Sequence, residues 1–288
     1  MSKDDKYIGV DADSLIYMAG HAVRAMPEHE HTLKKAKVVM NSMLRKQFTF
    51  LFKNTRFSKP KNKGLIQHLF DTKRLRFFLT STDKSNFRFK AATTLEYKSS
   101  RKTAERPLFY EELRQYLTDK WNAETVYGME ADDMLSIMAS EHPGKVILLH
   151  VDKDLRQIPD CYHCEMNCER KIYYVNHTGV LQLERTTNGV AYLFATGKAM
   201  LMAQMLTGDA TDDIPRLKKG FGPVKVYEYL TSIPPANWEF DIMELYKKEY
   251  GDDLGPVRYR ETYRLVSLLT IENYQDEVKT IKITTKQV

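Results

Sequence analysis

Ten of the chain's 38 acids are gathered into four short clusters: Asp11 with Asp13, Glu130 with Asp132 and Asp133, Asp152 with Asp154, and Asp209 with Asp212 and Asp213. Magnesium is held by oxygen ligands in near-octahedral geometry and keeps several waters, so its site draws carboxylates from separate elements. Two such ions, about 3.5–4 Å apart, activate a water and stabilise the attacking and leaving oxygens of a phosphodiester. Each cluster alone has a plainer explanation. Glu130 and Asp132 open a stretch of helical spacing, where acids complement the helix dipole. Asp152-Lys153-Asp154 reads equally as a turn, and both its acids reach one site only if the chain bends there. Taken together, the clusters point to a shared cation site.

The elements that carry these acids place them at one edge. Tyr7-Ile8-Gly9-Val10 is a short apolar run ending in Asp11; Phe77-Phe78-Leu79 leads through Thr80-Ser81-Thr82 to Asp83; Val146 to Val151 ends in Asp152. Strands alternating with helices predict an α/β fold, a central mostly parallel sheet flanked by helices. Ligands of such sheets sit beyond the carboxyl ends of the strands, where Asp11, Asp83 and Asp152 all fall. Ser14 is expected to cap the helix through Leu15, Ile16 and Met18. Met134, Leu135, Ile137 and Met138 recur at helical spacing after Glu130. Lys171 to Val175 and Val180 to Leu183 read as a hairpin around His177-Thr178-Gly179. Beyond residue 190 the chain reads as helical, with breaks at Gly220-Phe221-Gly222 and Pro234-Pro235.

The composition fits a polyanionic ligand. The 288 residues are 42% hydrophobic and 28% charged, with a net charge of +6. Thirteen Lys or Arg lie between Lys34 and Arg76 against one acid, Asp71, and seven more between Lys84 and Arg106 against Glu96 and Glu105. A basic surface around concentrated acid brings a polyanion to a cation-dependent centre, although solvated basic helices are the plainer reading of the charge alone. No apolar run approaches the roughly 20 residues that span a bilayer. The polar N-terminus carries no secretory signal, and three cysteines fit a reducing cytoplasm.

Asp11-Ala12-Asp13-Ser14 after a strand resembles the nucleophile motif of haloacid-dehalogenase-type phosphatases, in which Asp11 would attack phosphorus. Gly208-Asp209 with Asp212-Asp213 resembles their metal motif, but it follows a stretch, Ala199 to Leu206, that reads as helix rather than strand. That reading also leaves Glu130-Asp132 and Asp152-Asp154 without work.

More of the chain resembles the 5′→3′ exonuclease and flap endonuclease family, especially its phage members. Val10-Asp11 with Asp13-Ser14-Leu15 is similar to the family's first strand and metal aspartate, and Asp83 to the second, followed by Phe87-Arg88. Tyr97-Lys98-Ser99-Ser100-Arg101 resembles the Tyr-Lys-x-x-Arg segment that acts on the scissile phosphate. Glu130-Ala131-Asp132-Asp133, Asp152-Lys153-Asp154 and Gly208 to Pro215 resemble its further metal motifs. Gly220-Phe221-Gly222 is similar to the helix-three-turn-helix hairpin that grips duplex backbone. Asp213 stands where Asn is usual, and Pro223-Val224 puts Lys225 one position late. These matches run in order over residues 8 to 230.

The resemblance implies a metal-dependent 5′-nuclease acting on DNA with a free 5′ end, duplex or flapped, and on RNA–DNA hybrids, during replication. It would be a monomer, in the host cytoplasm if phage-encoded. Two Mg2+ ions, with Mn2+ as substitute, would be held by Asp11, Asp83, Glu130, Asp132, Asp152, Asp154, Asp209 and Asp212, with Asp133 as a further candidate although it faces another side of its turn. A K+ ion would sit at the helix-three-turn-helix. Lys98 and Arg101 would act on the phosphate, Tyr97 would stack on a displaced base, and Arg88, Gly220, Gly222 and Lys225 would contact DNA. The organisation expected is a nuclease core over residues 1–190, with an arch or clamp at about 84–110, and a helical DNA-binding region over 191–288. A catalytically inactive DNA-binding replication accessory is the non-enzymatic alternative, though every acid cluster is kept. Cys161-x-x-Cys164-x-x-x-Cys168 with His163 has zinc spacing but no second half-site. The Met-rich stretch from Met200 to Met205 reads as core.

Overall fold

The computed structural model describes residues 6–57, 64–83, 85–100, 105–166 and 171–274. The apolar runs become strands β1 (Tyr7–Asp11), β2 (Leu75–Thr80), β3 (Glu124–Val126), β4 (Val146–His150), β5 (Cys161–Glu165) and β6 (Ile172–Val175) of one sheet, in the order β3-β2-β1-β4-β5-β6. Every pairing is parallel except β5 with β6. All five residues of β4 are buried, as a strand covered on both faces requires, and its apolar run is therefore unbroken rather than alternating.

Side-chain alternation splits the interior into two cores. Ile8, Val10, Phe77, Leu79, Ile147 and Leu149 belong to one, with α1 (Ala12–Arg24), α2 (Leu33–Asn54), α3 (Leu65–Asp71) and α5 (Tyr110–Trp121) over it. Phe78, Val146 and Leu148 belong to the other, with α6 (Ala131–Glu141), α7 (Gly197–Thr207), α8 (Pro223–Ser232) and α9 (Trp238–Val266). Gly9 lets α6 come close: a Cβ there would lie 2.6 Å from Leu135 Cδ2. Close packing of α6 against β1 sets the first turn of α6 beside the ends of β1 and β2. A single turn, α4 (Arg88–Ala91), follows β2, and α9 is broken at Gly251, where φ is 86°.

Two local expectations differ. Ser14 does not cap α1; Asp11 does, accepting from the Ser14 N–H and hydroxyl. The residues around 171–183 do not form a hairpin: β6 returns to β5, and the hairpin is β7 (Leu181–Arg185) with β8 (Ala191–Ala195), so the chain past residue 190 begins as strand. Zinc spacing at the cysteines is an accident of β5. Cys161 and His163 face one core while Cys164, one register on, faces the other; Cys168 lies outside the described residues. Among the described residues no helix is long and apolar enough to cross a membrane.

Candidate active site

Four parts of the chain bring carboxylates to one cavity of about 590 Å³ beyond the strand ends. Asp11 ends β1, and Asp13 is on the first turn of α1. Glu130 caps α6, whose first turn carries Asp132. Asp152 and Asp154 follow β4, with the chain bending into a 3-10 turn at Asp154, whose N–H donates to Asp152 Oδ1 at 2.9 Å. Asp212 comes from the short turn after α7. All seven line the cavity, together with Lys98. Asp209 is one step away in the neighbouring cavity, linked to Asp154 through the Lys153 ammonium at 3.5 and 3.7 Å. The loop carrying it is closed at Gly208 (φ 65°), where a Cβ would meet Ile214 O at 2.3 Å.

Crowding of like charge sets the electrostatics. Burial, then Asp13 and Asp152, push Asp11 up to about 7 despite two bonds from Ser14. Burial and Asp152 push Asp154 up to about 7 as well. Asp132 is driven well above the carboxylate range by burial and by Asp11, Asp152 and Glu130. Burial also raises Asp209, but Lys153 and the Thr211 N–H outweigh it and leave this acid below its usual value. Like charges in a desolvated pocket either take up protons or take up a cation.

Lys98 supplies positive charge. Its ammonium pairs with Glu130 and lies 3.5 Å from Asp212, while its N–H donates to Asp212 O at 3.0 Å. Its φ of 52° is left-handed. The same segment is tied to the loop after α7: the Ser100 N–H donates to Asp213 Oδ2 at 2.8 Å, and both Ser99 and Ser100 hydroxyls donate to it too. Asp213 itself has φ 59°, a conformation that Asn and Asp tolerate better than other side chains, so the Asp in place of Asn serves both needs.

The structure moves several expected residues out of the site. Asp83 lies past the end of β2, exposed and accepting from the Ser85 N–H and hydroxyl, and it does not line the acid cavity. Asp13 reaches that strand end instead. Its Oδ2 accepts from the Thr80 N–H at 2.8 Å and its Oδ1 from Arg114 at 3.1 Å. Arg88 is not a DNA contact, because it is 1% exposed and donates to Asp133 at 2.6 and 2.8 Å. Asp133 is 0% exposed and occupied by that pair, so it does not join the metal candidates; its Oδ2 also accepts from Glu130 N, completing a capping box. Tyr97 is buried, with its hydroxyl toward Asp212 at 3.2 Å, and presents no free face for a base. The Gly222 N–H donates to Gly220 O at 2.9 Å and is spent inside the turn, while Lys225 is exposed. Arg101 lies outside the described residues.

Sequence reasoning missed Tyr17, His21 and Tyr110, which line the mouth. The signal was present: Asp13, Tyr17 and His21 recur every fourth residue and so share one face of α1.

The donor set fits a hard divalent cation by its chemistry, since it is made of carboxylate oxygens from separate elements. Among the described residues no three acid, imidazole or thiol side chains converge closely enough to hold one ion as they stand. Protein donors occupy the acids instead: the Ser14 hydroxyl on Asp11, the Lys98 ammonium on Glu130, and the Gln204 amide on Asp154 at 2.7 Å.

No family model matches the chain, and no curated protein does. Solved structures do. A bacteriophage T5 D15 protein co-crystallised with metal ions is 16% identical over 98% of both chains, with a TM-score of 0.54. The T5 D15 flap endonuclease in a pseudo-enzyme–product complex with DNA and metal ions is 15% identical over 98% of this chain and 97% of that one, with a TM-score of 0.56.

Proposed function

We propose that this chain, which has the fold of the 5′→3′ exonuclease and flap endonuclease family, is a metal-dependent 5′-nuclease that hydrolyses DNA phosphodiesters at or near a free 5′ end. The observation that carries the reading is the convergence of carboxylates from four parts of the chain on one cavity beside the Lys98 ammonium. Asp11, Glu130, Asp132, Asp152, Asp154 and Asp212, with Asp209 behind, would hold Mg2+, or Mn2+ in its place. Bound there, the ions supply an activated water and neutralise charge on the phosphate oxygens. Lys98 would leave Glu130 for the phosphate and stabilise charge that grows as the bond breaks. Asp13, held by Thr80 and Arg114, would fix the start of α1 against β2 and keep Asp11 in place. The α7–turn–α8 hairpin, with exposed Lys225 and the amino end of α8, would grip duplex backbone, with K+ as its expected companion.

Two features argue against the phosphatase reading. Asp11 is 3% exposed and holds two bonds from Ser14 as a helix cap, an awkward state for a nucleophile. Asp209 follows helix α7 rather than a strand.

The test is digestion of 5′-labelled duplex, flapped and single-stranded DNA in magnesium and in EDTA. Cleavage of the duplex or flap from the labelled end in magnesium, and none in EDTA, is the expected result. Cleavage that survives EDTA, or none on any substrate, overturns the reading.

A further inference from the structure

Gln204 is a polar side chain in an apolar place. α7 buries Ala199, Met200, Met202, Ala203, Met205 and Leu206 along with it, and Gln204 itself is 4% exposed. Its amide nitrogen donates to Asp154 Oδ1 at 2.7 Å, and its amide oxygen accepts from Gln157 Nε2 at 2.9 Å. Gln157, also buried, closes the short turn that begins at Asp154. Its Nε2 also donates to Val266 O at 3.0 Å, and its Oε1 accepts from the Leu268 N–H at 3.0 Å. A line of hydrogen bonds thus runs from the backbone at the end of α9, through two buried amides, to one carboxylate of the acid cavity. Its direction is not free. A backbone N–H can only donate and a backbone carbonyl can only accept, so Leu268 and Val266 fix which end of the Gln157 amide is oxygen and which is nitrogen. Gln157 then presents a donor to Gln204, which answers with its oxygen. The Gln204 nitrogen is left facing Asp154, and one oxygen of that carboxylate is held as an acceptor.

The same stretch of backbone holds the other acid motif. Leu265 O and Ser267 O accept from Arg88 at 3.1 and 2.8 Å, and the Leu269 N–H donates to Asp133 Oδ1 at 3.1 Å. Residues 265, 267 and 269 of this strap therefore serve the Glu130 motif, while 266 and 268 between them serve Gln157. Packing alone does not call for such an arrangement, because an amide is costly to bury unless its groups are bonded and an apolar side chain of similar size avoids that cost. We infer that Gln204 is a positioning residue, which aims the Asp154 carboxylate for a divalent cation while the strap sets Asp154 and the Glu130 motif against each other. The inference rests on the nuclease reading above and deepens it, by naming what orients one of the acids that reading gives to a metal. A donor on one carboxylate oxygen limits rotation of the group, so the second oxygen keeps its direction when the protein is metal-free. Without the donor, a cation would have to order the carboxylate as it binds, and would bind more weakly.

The experiment is a Mn2+ titration of wild type and Gln204→Met without DNA, the free ion being read by electron paramagnetic resonance. Methionine keeps the length of the side chain and removes the donor. Gln204→Met should bind one Mn2+ roughly ten- to a hundredfold more weakly than wild type. The magnesium concentration that gives half-maximal flap cleavage should rise by a similar factor. A side chain that only packs would leave the metal affinity of the folded protein where it was. A urea titration checks that the variant is folded. If it is not, Gln204→Asn, whose amide stops one methylene short of Asp154, takes its place with the same expected loss. A loss of Mn2+ affinity short of about tenfold, in a protein that cuts flaps with magnesium, overturns the positioning role alone. A wild-type protein that cuts no DNA overturns the nuclease reading and this one with it.

Discussion

Two cation–carboxylate pairs grow from the same four-residue motif, Glu130 to Asp133, and they are built for opposite ends. Arg88 and Asp133 have side chains 2% and 0% exposed, bidentate, with the carboxylate also accepting from the backbone of Glu130 and Leu269 and the guanidinium donating to two carbonyls. All four carboxylate lone pairs and four of the five guanidinium protons have a fixed partner, away from solvent. Lys98 and Glu130 have side chains 12% and 18% exposed and face a cavity. A lysine is a point charge on a flexible stem, and here it makes its contacts among acids that a metal would claim. The first pair ties the opening of α6 to the chain after α9; the second can exchange. One motif thus holds a strut and a switch, separated by one turn of helix.

Breaking the strut should have the larger effect. Arg88→Ala leaves Asp133 charged and buried without its partner, a change that costs about 3–5 kcal/mol. Urea denaturation should show a loss of that order, with cleavage falling as the folded fraction falls. A loss below about 1 kcal/mol, the range of an exposed pair, would erase the distinction between the two pairs.

Removing the switch should leave the fold nearly intact and strike the chemistry. Lys98→Ala should slow single-turnover cleavage about a hundredfold while changing affinity in calcium little, since many other Lys and Arg would meet the backbone. Equal losses in rate and affinity would make Lys98 a simple phosphate contact. Loss in neither would remove it from the site.

The sheet was legible because β1, β2 and β4 are apolar runs that end where acids begin, and buried parallel strands have no other way to read. β5 was hidden because Cys161, His163 and Glu165 look polar. In the fold His163 hydrogen-bonds His150 at 3.0 Å and Glu165 pairs with Arg156 at 2.7 Å, so the strand is buried with its polar groups satisfied. The β7–β8 hairpin was misread because its turn, near Gly189, is preceded by an equally good turn signal at Gly179. For the candidate site, Asp11, Glu130, Asp132, Asp152, Asp154 and Asp212 line one cavity. Arg88 and Asp133 were misplaced because a charged residue is read as exposed until its partner is known, and theirs are 45 residues apart. Asp13 was left without a place because its partner, the Thr80 N–H, is a backbone group on another strand.

The claim that the acid cavity exists to hold divalent metal can be measured without cleavage. Asp11 and Asp154 both sit at about 7, far above an unfolded aspartate. In the metal-free folded protein they therefore keep protons that the unfolded chain has already released above about pH 4. The stability this proton uptake gives is complete at low pH and is lost as pH rises through 7. A cation must displace those same protons, so its stabilisation of the fold grows over that window. The measurement is the thermal unfolding midpoint from pH 5 to 8, in magnesium and in EDTA, for wild type and Asp132→Asn. Taking the difference between the two conditions cancels groups remote from the cavity. The account predicts a magnesium-dependent rise in midpoint that is small at pH 5, increases through pH 7, and is lost in Asp132→Asn. Wild-type profiles that coincide in magnesium and EDTA at every pH would contradict it.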